Sequence, residues 1–105
     1  MPAGDWKRMM RAIRENDFPL LRYYLEIGVN PNAQHPEYFN TPLIEAIVYS
    51  RIEMVEYLLK QGADPNLKAG FSTDSPLSIA KEHKNKAIIK LLKSYLPRKR
   101  FFFFG

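Results

Sequence analysis

Cysteine is missing from all 105 residues, which excludes disulfide frameworks and thiolate chemistry and suits a reducing compartment. Long apolar runs are missing too, and nothing approaches the ~18 residues that a bilayer-spanning helix requires. The opening Met-Pro-Ala-Gly-Asp-Trp-Lys-Arg has no apolar stretch of the kind a secretory leader carries, so a cytoplasmic protein is expected. Glycine is sparse: five residues, at 4, 28, 62, 70 and 105, whose spacing forms neither G-x-G-x-x-G nor a phosphate loop. Histidine is sparser, with only His35 and His83, far apart in sequence and without cysteine neighbours, so no metal-ligand spacing exists.

Catalytic groupings are equally thin. Ser75 and His83 could in principle form a nucleophile and its base, but no orienting carboxylate accompanies them and Ser75 has a capping role. Glu53 and Glu56 read as a solvated helix exterior rather than an acid–base pair. No catalytic residue, metal or cofactor is expected, and no small-molecule substrate.

What is present is an ordinary globular composition, 46% hydrophobic and 26% charged, enough for one domain that buries about two-thirds of its unfolded surface. The net charge of +5 is unevenly placed. Residues 1–80 carry 8 Lys and Arg against 10 Asp and Glu, whereas residues 81–105 carry 8 against Glu82 alone. The basic character belongs to the C-terminal end.

The dominant signal is internal repetition. Gly28-Val29-Asn30-Pro31-Asn32 returns as Gly62-Ala63-Asp64-Pro65-Asn66, and Thr41-Pro42-Leu43 returns as Ser75-Pro76-Leu77, both at an offset of 34. The same shift carries Leu21 onto Val55 and Ile89, Ala12 onto Ala46 and Ala80, and Leu58 onto Leu92. Turns, caps and apolar positions share one period, which marks a repeated structural unit.

Each unit has a physical reading. Thr41 N-caps a helix whose first residue, Pro42, lacks an N–H that would go unpaired there anyway. Leu43, Ala46 and Ile47 give an i, i+3, i+4 apolar face, and the helix ends near Ser50. A second helix is predicted over Ile52–Lys60, with Met54, Val55, Leu58 and Leu59 facing inward. Gly28 and Gly62 sit where a helix C-terminus wants positive φ, and Asp64-Pro65-Asn66 forms the turn beyond.

Residues 41–66 resemble the ankyrin repeat almost position for position, and about 5–96 are covered as three units. The resemblance implies an all-α solenoid of three stacked helix–turn–helix units, at about 5–38, 39–72 and 73–97, forming one domain over 1–97 followed by a basic, Phe-rich tail at 98–105. The period exceeds the family's usual 33 by one residue, placed between Asn32 and Thr41. Ile44 and Ser78 stand where the family has histidine. Asn16, Ser50 and Lys84 stand where it has glycine between the helices, and Lys7-Arg8 replaces Thr-Pro in the first unit. The outer units read as caps, with Lys84, Lys86, Lys90 and Lys93 solvating one end. In the first unit Lys7, Arg8, Arg11 and Arg14 face out, and Met9, Ile13, Leu20, Leu21, Tyr24 and Leu25 face in.

The resemblance also implies a protein partner, met by loop tips and by the exposed face of each first helix. Carried onto this chain, the loops are 34–40 and 68–74, with Tyr38, Phe39 and Phe71 as aromatic candidates. The helix candidates are Arg11, Arg14 and Glu15, then Glu45, Val48 and Tyr49, then Ile79, Glu82 and His83. Aromatic residues bury much area at low entropic cost, so Tyr49 and Phe71 are the expected anchors. Such a module could inhibit or sequester its partner, and a monomer is expected. For Phe101–Phe104, fold-back on the third unit, docking on a partner and contact with a membrane surface all stay open. The alternative function is an adaptor whose basic, Phe-rich C-terminus meets a membrane or nucleic acid, although no nucleic-acid recognition motif is present.

Overall fold

The computed structural model describes residues 3–34, 40–69 and 73–97. They form six helices: α1 (Ala3–Arg14), α2 (Phe18–Glu26), α3 (Pro42–Val48), α4 (Ile52–Lys60), α5 (Pro76–Glu82) and α6 (Lys86–Tyr95). No strand occurs among the described residues. The helices pair as α1 with α2, α3 with α4 and α5 with α6. The pairs then stack, α3 lying between α1 and α5 and α4 packing on α6. This is the three-unit all-α solenoid that the repeat predicts.

Local chemistry starts α3 and α5 in the same way. Thr41 Oγ1 accepts the Ile44 N–H at 3.1 Å, and Ser75 Oγ accepts that of Ser78 at 3.1 Å. Proline follows each cap. Asp17 and Asn85 cap α2 and α6 through the Leu20 and Ile88 amides. Between the helices of each unit one residue turns left-handed: Asn16 at φ 59°, Ser50 at 55° and Lys84 at 55°. The next amide then reaches back five residues, Asp17 to Ala12, Arg51 to Ala46 and Asn85 to Ala80, closing the helix end. The departures from glycine at these positions therefore leave the turn geometry unchanged.

The core runs continuously through the stack. Ala12, Ala46 and Ala80 are all buried, and their small side chains let neighbouring first helices approach closely. Beside them lie Met9, Ile13, Leu43 and Ile47 from the first helices and Leu21, Met54, Val55, Leu58, Ile88 and Leu92 from the second. Ile89 and Leu91 are only half-buried. Leu20 departs further and is exposed. It occupies the position of buried Met54 and Ile88, but no unit precedes it among the described residues. Trp6, by contrast, is a buried core residue whose indole N–H donates to the Ala33 carbonyl at 2.7 Å, tying α1 to its own unit's turn.

The turns are joined sideways as well. Asn32 Oδ1 accepts the Asp64 amide at 2.7 Å while its Nδ2 donates to the Gly62 carbonyl at 2.9 Å. Gln34 Nε2 donates to the Lys68 carbonyl at 3.1 Å. Ile44 is buried and Ser78 bonds only its own turn, to the Ser75 carbonyl at 2.9 Å. Lateral bonds among the described residues include those of Asn32 and Gln34 and, at the other end of the first helices, those of Arg51 and the Arg14–Glu45 pair.

Candidate protein-binding surface

The first helices present very different amounts of themselves. In α3 every residue from Pro42 to Ile47 is buried, and the chain emerges only at Val48 and Tyr49, 40% and 43% exposed. The 34-residue period places Arg14 and Glu15 beside them in the first unit and Glu82 and His83 in the third. Glu15, Glu82 and His83 are exposed and Arg14 is half-buried. A row of six residues therefore crosses the stack at the ends of the first helices, apolar and aromatic at its centre and charged or polar at both sides.

Packing fixes this row. The Arg51 guanidinium lies 5.8 Å from the Tyr49 ring centroid. It also donates through Nε to the Ile13 carbonyl at 3.1 Å and through Nη2 to that of Arg14. Arg51 is the one residue among the described second-helix N-caps that makes no side-chain cap bond. Its side chain instead caps the Ile13 and Arg14 carbonyls at the end of α1 in the unit before. It holds Tyr49 and the first unit's helix end together.

Glu45 is placed differently from the other candidates. It is 7% exposed, and its carboxylate accepts from Arg14 Nη1 at 2.9 Å and from Asn40 Nδ2 at 2.5 Å. Asn40 in turn accepts the Thr41 amide at 2.9 Å. Glu45 thus orients Arg14 from below the surface. Arg11 is exposed and paired to Glu15 at 3.1 Å, and Ile79 is half-buried. Tyr38, Phe39 and Phe71 lie outside the described residues, as does the tail from Arg98. Sequence reading missed Arg51, although its offset partners are the caps Asp17 and Asn85, and a long cation at a capping position was the available signal.

No group of three or more metal-binding side chains occurs among the described residues, and no described helix is long and apolar enough to cross a membrane. An open groove of about 380 Å³ lies between α4 and α6, lined by Ile52, Glu56, Ala87, Lys90, Leu91 and Ser94.

Comparison with known proteins agrees with this architecture. The family model for ankyrin repeats in three copies matches residues 9–99. A human 2-5A-dependent ribonuclease is 42% identical over 60 residues, covering 57% of this chain and 8% of that protein. A putative ankyrin repeat protein of fowlpox virus is 34% identical over 91 residues, covering 84% of this chain and 12% of that one. The chain thus spans about a tenth of these curated relatives. The crystal structure of the human ASB11 ankyrin repeat domain superposes with a TM-score of 0.75 at 28% identity, covering 86% of this chain and 39% of that domain. Ankyrin repeats are generally protein–protein interaction modules, and their fold is typically a non-enzymatic scaffold, the ribonuclease among the relatives being an enzyme with other domains. Three stacked helix pairs, a shared 34-residue geometry and the matched family model lead to one conclusion: the chain belongs to the ankyrin-repeat family.

Proposed function

We propose that the chain grips one protein partner through the row of first-helix ends, with the loop tips on either side, and that it inhibits or sequesters that partner by covering it. One observation carries the reading: Val48 and Tyr49 stay uncovered at the end of a helix that is otherwise wholly buried. A solvent face needs neither residue, whereas an interface centre favours an aromatic with a polar rim. Arg14, Glu15, Glu82 and His83 supply the rim, with Arg11 behind them, and Glu45 enters by orienting Arg14. Tyr38, Phe39 and Phe71 are the loop contributions. Residues 1–97 act as one stacked body, and a cytoplasmic setting fits the cysteine-free composition.

The test is affinity capture with mass spectrometry using the wild type and a Tyr49→Ala/Phe71→Ala variant in parallel. The partner retained by the wild type should be lost from the variant, with an affinity drop of about 2 kcal/mol or more when remeasured with purified partner. If the double variant binds that partner as tightly as the wild type, the row is not the contact surface.

A further inference from the structure

The interval between neighbouring second helices occurs twice, and its walls differ. Between α2 and α4 it holds about 170 Å³ and is lined by Phe18, Glu53, Glu56, Tyr57 and Lys60. Tyr57 packs edge-on against Phe18, ring centroids 5.4 Å apart. The Arg22 guanidinium lies 5.1 Å from the Phe18 centroid and 5.9 Å from that of Tyr57. Two rings and a cation thus close the first interval. One period later the equivalents of Phe18, Tyr57 and Arg22 are Ile52, Leu91 and Glu56. Both rings have become aliphatic, and the cation has become an anion. The groove between α4 and α6, which these three line, is correspondingly larger at about 380 Å³. Ile52 stays 42% exposed in it, and Leu91 is half-buried.

Relative to the first interval, the second is short of aromatic area and of positive charge. The segment 98–105, which lies outside the described residues, reads Arg-Lys-Arg-Phe-Phe-Phe-Phe-Gly and carries both. It also starts close by. Ser94, which lines the groove, is four positions before Arg98. The helix α6 ends at Tyr95, and Leu96 follows in extended conformation at φ −90° and ψ 147°. From Ala87 to Ser94 the groove follows α6 for about 10 Å, at about 1.5 Å per residue. Residues 98–105 span about 26 Å when extended, enough to reverse direction and run its whole length. Charge agrees with reach. Glu56, on the α4 wall, pairs with Lys60 at 3.9 Å, both side chains being exposed. A pair of that kind is worth little, so Glu56 can take a better partner. Glu53, also exposed, stands one turn away, while Lys90 belongs to the opposite wall.

We infer that the groove between α4 and α6 is the docking site of the chain's own segment 98–105. Its phenylalanine rings enter against Ile52 and Leu91, and its basic run at 98–100 meets Glu56 and Glu53. The segment thereby brings to the second interval the rings and the cation that Phe18, Tyr57 and Arg22 provide in the first. Docking covers phenylalanines whose exposure to water is unfavourable. The groove is made by second helices, so the row at the first-helix ends stays free for its partner.

The test reads the segment in the full chain. With phenylalanine isotopically labelled, NMR should show nuclear Overhauser contacts from the rings of Phe101–Phe104 to the Ile52 and Leu91 methyls, unchanged on dilution. Chymotrypsin, which cuts after phenylalanine, should attack the segment slowly, because cleavage follows the undocked fraction. Ile52→Arg should abolish the contacts and speed cleavage at least ~10-fold, with circular dichroism checking that the helices persist. Glu56→Arg should speed cleavage by a smaller factor. Adding Arg98→Glu/Arg100→Glu to Glu56→Arg should restore both the contacts and the slow cleavage, which a structural defect in α4 would not allow. The inference fails if the wild-type segment is cut as fast as in both Ile52→Arg and Glu56→Arg. It fails equally if the contacts arise only between differently labelled copies, which would place the segment on a second chain. Retention of the wild type on phosphatidylcholine–phosphatidylserine vesicles as strong as that of Ile52→Arg would overturn it too, since the phenylalanines would then be free already.

Discussion

The middle and third units share caps, turns and period, yet their first helices live in different environments. In α3 six consecutive residues are buried, whereas in α5 only Pro76 and Ala80 are. Leu43 is 2% exposed, and its equivalent Leu77 is half-buried. Ile47 is fully buried, and its equivalent is exposed Lys81. The difference teaches that burial in a stack is conferred by the units on either side. A repeat cannot bury its own apolar faces, so the same motif is core in one place and edge in another.

That contrast can be broken most forcefully at the core. Leu43→Ala should cost about 3 kcal/mol in urea unfolding, because it opens a cavity enclosed on all sides, while Leu77→Ala should cost about 1 kcal/mol. Equal losses at the two positions would mean that the third unit is as enclosed as the second. The next effect is electrostatic. Glu45→Ala strips the buried partner from Arg14 and Asn40 and should cost about 2 kcal/mol. Glu82→Ala, on an exposed face, should fall within about 0.5 kcal/mol of wild type by the same measurement. The smallest effect runs the other way. Ser50→Gly and Lys84→Gly each place glycine at a left-handed residue, φ 55° in both. Each should stabilise by about 0.5–1 kcal/mol, the strain relieved in the native state exceeding the added freedom of the unfolded chain. Gly62, at φ 98° with open space around a would-be Cβ, supplies the control. Gly62→Ala should destabilise by about 1 kcal/mol through backbone strain alone, read from the shift in thermal midpoint.

The candidate surface was partly legible before any coordinates. Tyr49, Val48, Glu82 and His83 follow from counting along the first helix, because the period fixes which residues close it. Glu45 was legible as a helix position but not as a buried one. Its burial depends on Arg14, 31 residues earlier, and on Asn40. Treating the first unit as a cap put Leu20 inside, whereas the structure leaves it 36% exposed.

What the sequence determined alone is what residue type sets within a few residues: the caps at Thr41 and Ser75, the glycine stops and the period that joins them. Those follow from backbone hydrogen bonding and φ preferences, which act locally and are written in residue type. Tertiary structure decided where each repeated side chain ends up: Arg51 on the carbonyls of the unit before, Glu45 beneath Arg14, Leu20 in the open. Exposure is a property of what stands next to a helix, and in a stack the neighbour is supplied by a segment some 34 residues away.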